Sequence, residues 1–255
     1  MPTLTPLPAF EDNYIWVLYD RHHAVAVDPG DAAPLEAFLD ANGLTLRAVL
    51  ITHHHRDHTG GITTLRRRHE CPVYVPDNPA VAGTHRVRGG DVIELSQPAL
   101  RFDVLATPGH TLDHLSYLGH GNLFCGDTLF GCGCGKLFEG TPAMMAGSLE
   151  AILALPDATR VCCAHEYTLS NIDFAKTIDG RNPALLERER ADRDTRTQGR
   201  PTLPSTLALE KATNPFLRFH HPDMVTFAAA YLKRPALDAA EVFGAIRAAK
   251  DAWDG

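Results

Sequence analysis

The chain has 255 residues, 44% of them hydrophobic, which is enough for one large core or for a large and a smaller one. A formal net charge of −7 and a pI near 6.0 argue against a protein that tracks nucleic-acid phosphates, since those carry a basic face. No basic-then-apolar leader opens the sequence and no apolar run approaches the ~20 residues of a membrane span, so a cytoplasmic protein without membrane association is expected.

In chain order, residues 14–19 and 24–27 are apolar, β-prone runs that read as two strands of a hairpin, the second closing on the turn signal Asp28-Pro29-Gly30. Residues 34–42 carry Leu35, Phe38 and Leu39 at helical spacing and stop at Gly43. The apolar run 48–51 comes next, and it delivers Thr52-His53-His54-His55-Arg56-Asp57-His58-Thr59-Gly60-Gly61. Continued as extended backbone, alternation puts His53, His55 and Asp57 on one side, with His58 turning to a second position. Gly60-Gly61 would let the chain turn into a helix marked by Ile62 and Leu65.

Short β-prone runs at 72–75, 91–95, 101–106, 115–118 and 122–125 are expected to form a second, mainly antiparallel sheet. Met145, Leu149, Ile152 and Leu153 mark a core-facing helix, and 161–164 returns as a strand. From about Ser170 the pattern turns helical, at 171–178, 183–196 and 239–253. The expected domains are therefore 1–169 and 170–255. The run Glu187–Asp194 mixes both signs of charge and reads as a solvated helix with i,i+3 and i,i+4 pairs. Cys71, Cys125, Cys132, Cys134, Cys162 and Cys163 lie in apolar or glycine-rich runs and read as reduced thiols; Cys132-Gly133-Cys134 lacks the second pair of a zinc knuckle.

Three further strand ends each offer one metal-ligating side chain: His110 in Thr107-Pro108-Gly109-His110, Asp127 in Cys125-Gly126-Asp127, and His165 after Val161-Cys162-Cys163-Ala164. The set divides into His53, His55 and His110 for one metal and Asp57, His58 and His165 for another, with Asp127 bridging. Each ion keeps an open position, as catalysis requires. Nitrogen and oxygen donors suit zinc, iron or manganese. Two such ions about 3.5–4 Å apart would acidify a shared water and polarise a carbonyl, which describes a hydrolase attacking with a bridging hydroxide. Asp57 and Asp127 are the carboxylates expected at the reaction, Asp57 orienting the attacking oxygen.

The Thr-His-x-His-x-Asp-His pattern with a later His, Asp and His resembles the metallo-β-lactamase superfamily. That resemblance implies an α+β fold, a four-layer αβ/βα sandwich with the metals at the sheet edges, followed here by a C-terminal all-α domain. Fold alone does not choose the reaction. The stretches Gly131–Thr141, His165-Glu166-Tyr167-Thr168, Leu203-Pro204-Ser205-Thr206 with Glu210-Lys211, and Asn214-Pro215-Phe216-Leu217-Arg218 are similar to glyoxalase II, the hydroxyacylglutathione hydrolase family, over nearly the whole chain.

The resemblance implies two divalent metal ions, zinc foremost, and a monomer is expected. The implied substrate is a small glutathione thioester, S-D-lactoylglutathione, cleaved in the second step of methylglyoxal detoxification. Lys136, Tyr167, Arg247 and Lys250 match the family's glutathione-binding residues, and Arg247 and Lys250 share a helix face. Phe138 stands where many members have a tyrosine, and Arg56 where a histidine is frequent. Arg218 reads as structural, tying the helical domain to the sandwich. Within the same fold, a single-iron persulfide dioxygenase would not need the full second ligand set. A β-lactamase would leave the glutathione-matching residues idle, and a nuclease would want a basic cleft. A non-catalytic metal-binding module would not need Asp127.

Overall fold

The computed structural model describes residues 2–235 and 237–254. The chain divides into two compact units. The first holds the residues up to Thr107, then Asp113–Gly126 and Cys162–His165; the second holds Pro108–Leu112, Asp127–Val161 and the chain from Glu166 on.

In the first unit the elements run β1 (Thr3–Ala9), β2 (Asn13–Tyr19), β3 (His23–Val27), α1 (Ala32–Asn42), β4 (Thr45–Leu50), α2 (Arg56–Thr59), α3 (Ile62–His69), β5 (Val73–Pro76), β6 (His85–Val87), β7 (Val92–Ser96), β8 (Ala99–Ala106), β9 (Leu115–Gly119) and β10 (Asn122–Gly126). β1 to β6 lie in sequence order in one sheet, antiparallel through β3 and parallel from β3 to β6. The change of sense comes from the connections, because the helices between β3 and β4 and between β4 and β5 return the chain parallel where a tight turn cannot. Helix α1 supplies the first crossover: Asp31 caps its first turn by accepting from Ala33 N, and Gly43 ends it at φ 63.

Alternation along β2 builds two faces. Ile15 and Val17 pack with Leu35, Leu39, Ile62 and Leu65 of α1 and α3 in one buried cluster. Trp16 points the other way, with its ring 6.5 Å from Phe124 of β10 and its indole N–H donating to Cys163 O at 2.9 Å. β7 to β10 form an antiparallel meander, and the chain after Cys163 joins it where Ala164 N donates to Gly126 O. Tyr117 of β9 donates its hydroxyl to Ile51 O at 2.6 Å, tying the two sheets at the end of β4.

The run at 72–75 does not join the second sheet. As β5 it pairs parallel with β4 in the first, because α3 brings it back alongside the strand it left. β1 is a further strand that Pro6 and Pro8 obscure in the sequence; a proline-bearing strand is tolerated at a sheet edge, where β1 lies.

In the second unit come β11 (Leu129–Phe130), β12 (Gly133–Cys134), α4 (Pro142–Leu153), the first half of β13 (Arg160–Cys163), α5 (Thr168–Asp179), α6 (Pro183–Thr197), β14 (Ser205–Thr206), α7 (Leu207–Thr213), α8 (Pro222–Leu232) and α9 (Ala239–Asp251). The first two residues of β13 pair with β14. The helices at α4, α5, α6 and α9 are those the sequence leads one to expect; α7 and α8 are additional. His221 is the N-cap of α8, and Pro222 takes the first helical position.

The charged run in α6 is only partly solvated. Arg188 is buried and donates to Glu210 (2.7 Å), Asp192 (3.1 Å) and Thr213 (2.7 Å). Glu210, wholly buried, also accepts from Ser205 Oγ, Cys132 N and Asn214 Nδ2. Arg218 lies 3.2 Å from Asp179, a pairing inside the second unit, between the Asn-Pro-Phe-Leu-Arg segment and the end of α5. Burying Glu210 is tolerable only because so many donors converge on it. Glu210→Ala is expected to destabilise the protein by about 3–5 kcal/mol, because Arg188 is left as a buried charge without its main partner. Urea unfolding of the two proteins measures it.

Candidate metal centre

β3 and β4 end side by side, and Asp28, just past β3 in the left-handed region at φ 53, turns its buried carboxylate under the chain leaving β4. Thr52 donates both its N–H and its hydroxyl to Asp28, at 2.8 and 2.7 Å. This clamp aims the histidines that come directly after Thr52. His53 is fully buried, with Nδ1 3.0 Å from Thr52 Oγ1 and Nε2 3.0 Å from His55 Nδ1.

The histidine run does not continue extended. After His55 the chain takes one helical turn, α2, so Asp57 and His58 sit on a helix and not on the alternating backbone of a strand. The turn is forced by close approach: a Cβ on Gly30 would lie 1.7 Å from Asp57 O, one on Gly60 2.4 Å from Gly30 O, and one on Gly61 2.4 Å from Pro29 O. Gly60 (φ −60) and Gly61 (φ −78) have ordinary backbone angles, so proximity to 29–30, not turning freedom, requires glycine there.

Asp57, His58 and His165 then converge within the first unit. Asp57 Oδ2 is 3.3 Å from His58 Nε2 and 3.4 Å from His165 Nε2, and it accepts from Asn13 Nδ2 at 3.0 Å. Each imidazole faces a carboxylate at its other nitrogen: His58 Nδ1 is 3.1 Å from Asp28, and His165 Nδ1 is hydrogen-bonded to Asp12 at 2.7 Å. Carboxylates facing Nδ1 favour the tautomer in which Nε2 is unprotonated and can serve as a metal ligand in both rings. Burial alone would push the Asp57 carboxyl up, but the neighbouring His165 and His58 imidazoles and the Asn13 amide outweigh it and hold the group well below the usual carboxylate range.

In the second unit, His110 and Asp127 come together in the same manner. His110 Nδ1 donates to Lys136 O at 2.8 Å, and its Nε2 lies 3.3 Å from Asp127 Oδ2. Both side chains are buried.

The donor spacings discriminate between a hydrogen-bonded cluster and a metal centre. Charge-assisted N–H···O contacts settle near 2.7–2.9 Å, as His165–Asp12 does. The three carboxylate contacts at Nε2, at 3.3, 3.4 and 3.3 Å, are longer. Donors about 2.0–2.1 Å from a tetrahedral ion stand about 3.3 Å apart, which is the spacing seen. Asp57, His58 and His165 therefore fit a divalent metal in spacing, in donor type and in the orientation of both rings.

The other residues singled out by the sequence fall in the second unit. Lys136 and Phe138 are exposed on the loop after β12, with the Lys136 ammonium 5.9 Å from the Phe138 ring. Tyr167 stands against Phe130, ring centroids 5.3 Å apart. Arg247 and Lys250 share a face of α9 but differ in surroundings. Arg247 is buried, donating to Cys134 O at 3.0 Å and pairing with Asp251 at 3.0 Å. Lys250 is half-buried with its ammonium 4.2 Å from the Trp253 ring, and burial followed by the nearby Arg247 charge lowers its pKa to about 8. The six cysteines are buried and unbridged, and burial raises Cys132 to about 12 and Cys134 to about 11.

Asp28, Asp12, Asn13 and Thr52 are not legible in the sequence as site residues. The one signal is position: Asp28 closes an apolar strand before Pro-Gly, and Asp12-Asn13 opens one.

Residues 10–165 match the family model described as the metallo-beta-lactamase superfamily, and residues 166–253 match the hydroxyacylglutathione hydrolase C-terminus. Over 256 aligned residues covering both chains completely, the protein is 70% identical to a hydroxyacylglutathione hydrolase of Thiobacillus denitrificans. The chain belongs to the hydroxyacylglutathione hydrolase family of the metallo-β-lactamase superfamily. A hydroxyacylglutathione hydrolase of Methylobacillus flagellatus is 50% identical over 96% of each chain. Among solved structures, ETHE1 from Myxococcus xanthus aligns at TM-score 0.64 and 28% identity over 85% of this chain and 84% of that one, and the BLEG-1 B3 metallo-beta-lactamase at 0.63 and 26% over 85% and 99%. The α+β metallo-β-lactamase fold with a C-terminal helical region is thus the fold of this family member, and its His/Asp cluster is a site for divalent metal. No helix among the described residues is long and apolar enough to cross a membrane.

Because Gly30 touches the backbone of Asp57, Gly30→Ala must displace that carboxylate. The expected result is a folded protein whose metal affinity falls by about 10–100-fold, as when the support of a metal ligand is lost. Metal analysis after dialysis against a weak chelator checks it.

Proposed function

We propose that this chain hydrolyses the thioester of S-2-hydroxyacylglutathiones, S-D-lactoylglutathione first among them, releasing glutathione and the 2-hydroxy acid, here D-lactate. The observation that carries the reading is the match of residues 166–253 to the hydroxyacylglutathione hydrolase C-terminus, on a chain whose first unit presents Asp57, His58 and His165 at metal-donor spacing. His53, His55 and His110 are proposed to hold one ion, and Asp57, His58 and His165 the other, with Asp127 shared. Zinc is the proposed metal, and iron or manganese would accept the same nitrogen and oxygen donors. Two divalent ions there would supply an acidified water and polarisation of the thioester carbonyl.

The chain's own groups do the rest. Asp57, kept ionised by the groups around it, orients the attacking water toward the acyl carbon, where the C–O bond forms. The C–S bond breaks and glutathione leaves as a thiolate, which needs little help from an acid because a free thiol ionises near pH 8.5, and the proton given up by the water passes to solvent. Residues 1–169 are proposed to carry this chemistry and 170–255 to carry glutathione recognition.

Glutathione offers two carboxylates, and charge-assisted contacts from Lys136 and Lys250, with the Tyr167 hydroxyl, suit it. Arg247 is committed to the Cys134 carbonyl and is assigned to hold the loop that carries Lys136 and Phe138 while adding positive charge behind Lys250. Buried, unbridged cysteines fit a reducing compartment, and the working form proposed is a cytoplasmic monomer.

The test is anaerobic turnover of S-D-lactoylglutathione by the purified protein, followed as loss of the thioester. Hydrolysis without oxygen supports the reading; no hydrolysis, with oxygen uptake on glutathione persulfide, would replace it. Asp127→Ala is expected to lose metal and activity together, and retention of all bound metal in that variant would remove Asp127 from the ligand set. Lys250 predicts a pH dependence with a defined sign. Its charge is present below about pH 8 and lost above it, so KM should rise as pH passes from 7 to 9 while kcat changes less, and Lys250→Met should flatten the rise.

A further inference from the structure

The chain reversal between β1 and β2 ends at Asp12, and the first residue of β2, Asn13, forms a backbone bridge with His165. Tyr14 N donates to Ala164 O at 2.7 Å and extends that bridge. Two consecutive side chains are thereby set against two donors of one candidate metal pole. Asp12 Oδ1 is 2.7 Å from His165 Nδ1, a charge-assisted contact, and Asn13 Nδ2 donates to Asp57 Oδ2 at 3.0 Å.

We propose that Asp12 and Asn13 are positioning residues for the Asp57–His58–His165 pole alone. The proposal rests on the metal-dependent reading above and deepens it. Asp12 accepts a hydrogen bond from the Nδ1–H of His165, which fixes the tautomer with an unprotonated Nε2, raises the basicity of that nitrogen and locks the ring's rotation. Asn13 occupies one lone-pair direction of Asp57 Oδ2 and leaves the other toward His58 and His165. Neither residue acts on His53, whose Nδ1 is served by Thr52. The two poles are thus supported by different parts of the chain: one through Asp28 and Thr52, the other also through the β1–β2 reversal. Asp28 touches both, since it accepts from Thr52 and faces His58, so it cannot set one pole apart from the other.

The experiment is titration of metal-free protein with Co(II) against a chromophoric chelator, resolving successive binding steps, for the natural sequence and for Asp12→Ala, Asp12→Asn and Asn13→Ala. Asp12 is half-exposed on a turn, and the bridge to His165 is made by backbone, so these variants retain the fold. Asp12→Ala is expected to weaken one of the two steps by about 10–100-fold and leave the other unchanged. Asn13→Ala should weaken the same step. Asp12→Asn keeps an oxygen to accept the Nδ1 proton and should recover most of the loss. Both steps unchanged, both weakened alike, or Asp12→Asn as poor as Asp12→Ala would each overturn the proposal. A failure of the broader reading shows separately, in the unsubstituted protein, as a single binding step or the absence of thioester hydrolysis.

Discussion

The half-buried carboxylate of Asp57 faces Asn13, His58 and His165, and the arrangement around it answers to a single constraint: a charge partly withdrawn from water must be met by groups already in place. Meeting it shapes the chain well beyond the site. Glycine is required at 30, 60 and 61 so that the turn carrying Asp57 can press against 29–30. Asp28 must sit past the end of β3, and the chain after β4 must run beside it, which the parallel β3–β4 pairing provides. The 164–165 segment must reach back to the start of β2, and it does so through the Asn13–His165 bridge.

Little of this favours folding by itself. Stability comes from the apolar layer between the first sheet and α1 and α3, where side chains such as Leu35, Leu39 and Ile15 are wholly removed from water and contribute roughly 1.5–3 kcal/mol each. The buried imidazoles and carboxylates offset part of that gain. A bound divalent ion reverses the sign of their contribution, because an ion that binds only the folded form stabilises it. The second unit contains a purely structural counterpart, the Arg188–Glu210 pair with Ser205, Thr213 and Asn214, in which protein donors alone meet the buried charge.

Legibility in the sequence depends on the range of the interactions. His53, His55, Asp57 and His58 announce themselves because ligand spacing is local, and α1 does so because its cap, its apolar face and its terminal glycine are local. The helical turn at α2 escapes the sequence pattern because its cause lies elsewhere: backbone at Asp57 meets backbone at Gly30. β5 falls to the wrong sheet on pattern alone because a four-residue apolar run does not carry the identity of its partner strand. Arg188 looks solvated because its sequence neighbours are charged, whereas its counter-ion, Glu210, lies on another helix. The supporting groups Asp12, Asn13 and Asp28 are hidden for the same reason, since a carboxylate at a strand end looks the same whether it caps a turn or orients an imidazole.

The proposed two-ion centre is tested most directly by thioester hydrolysis of metal-free protein as zinc is added stepwise. Activity is expected to lag through the first equivalent and to reach its plateau near two per chain. Full activity at one equivalent, unchanged by the second, would contradict a centre that needs both ions.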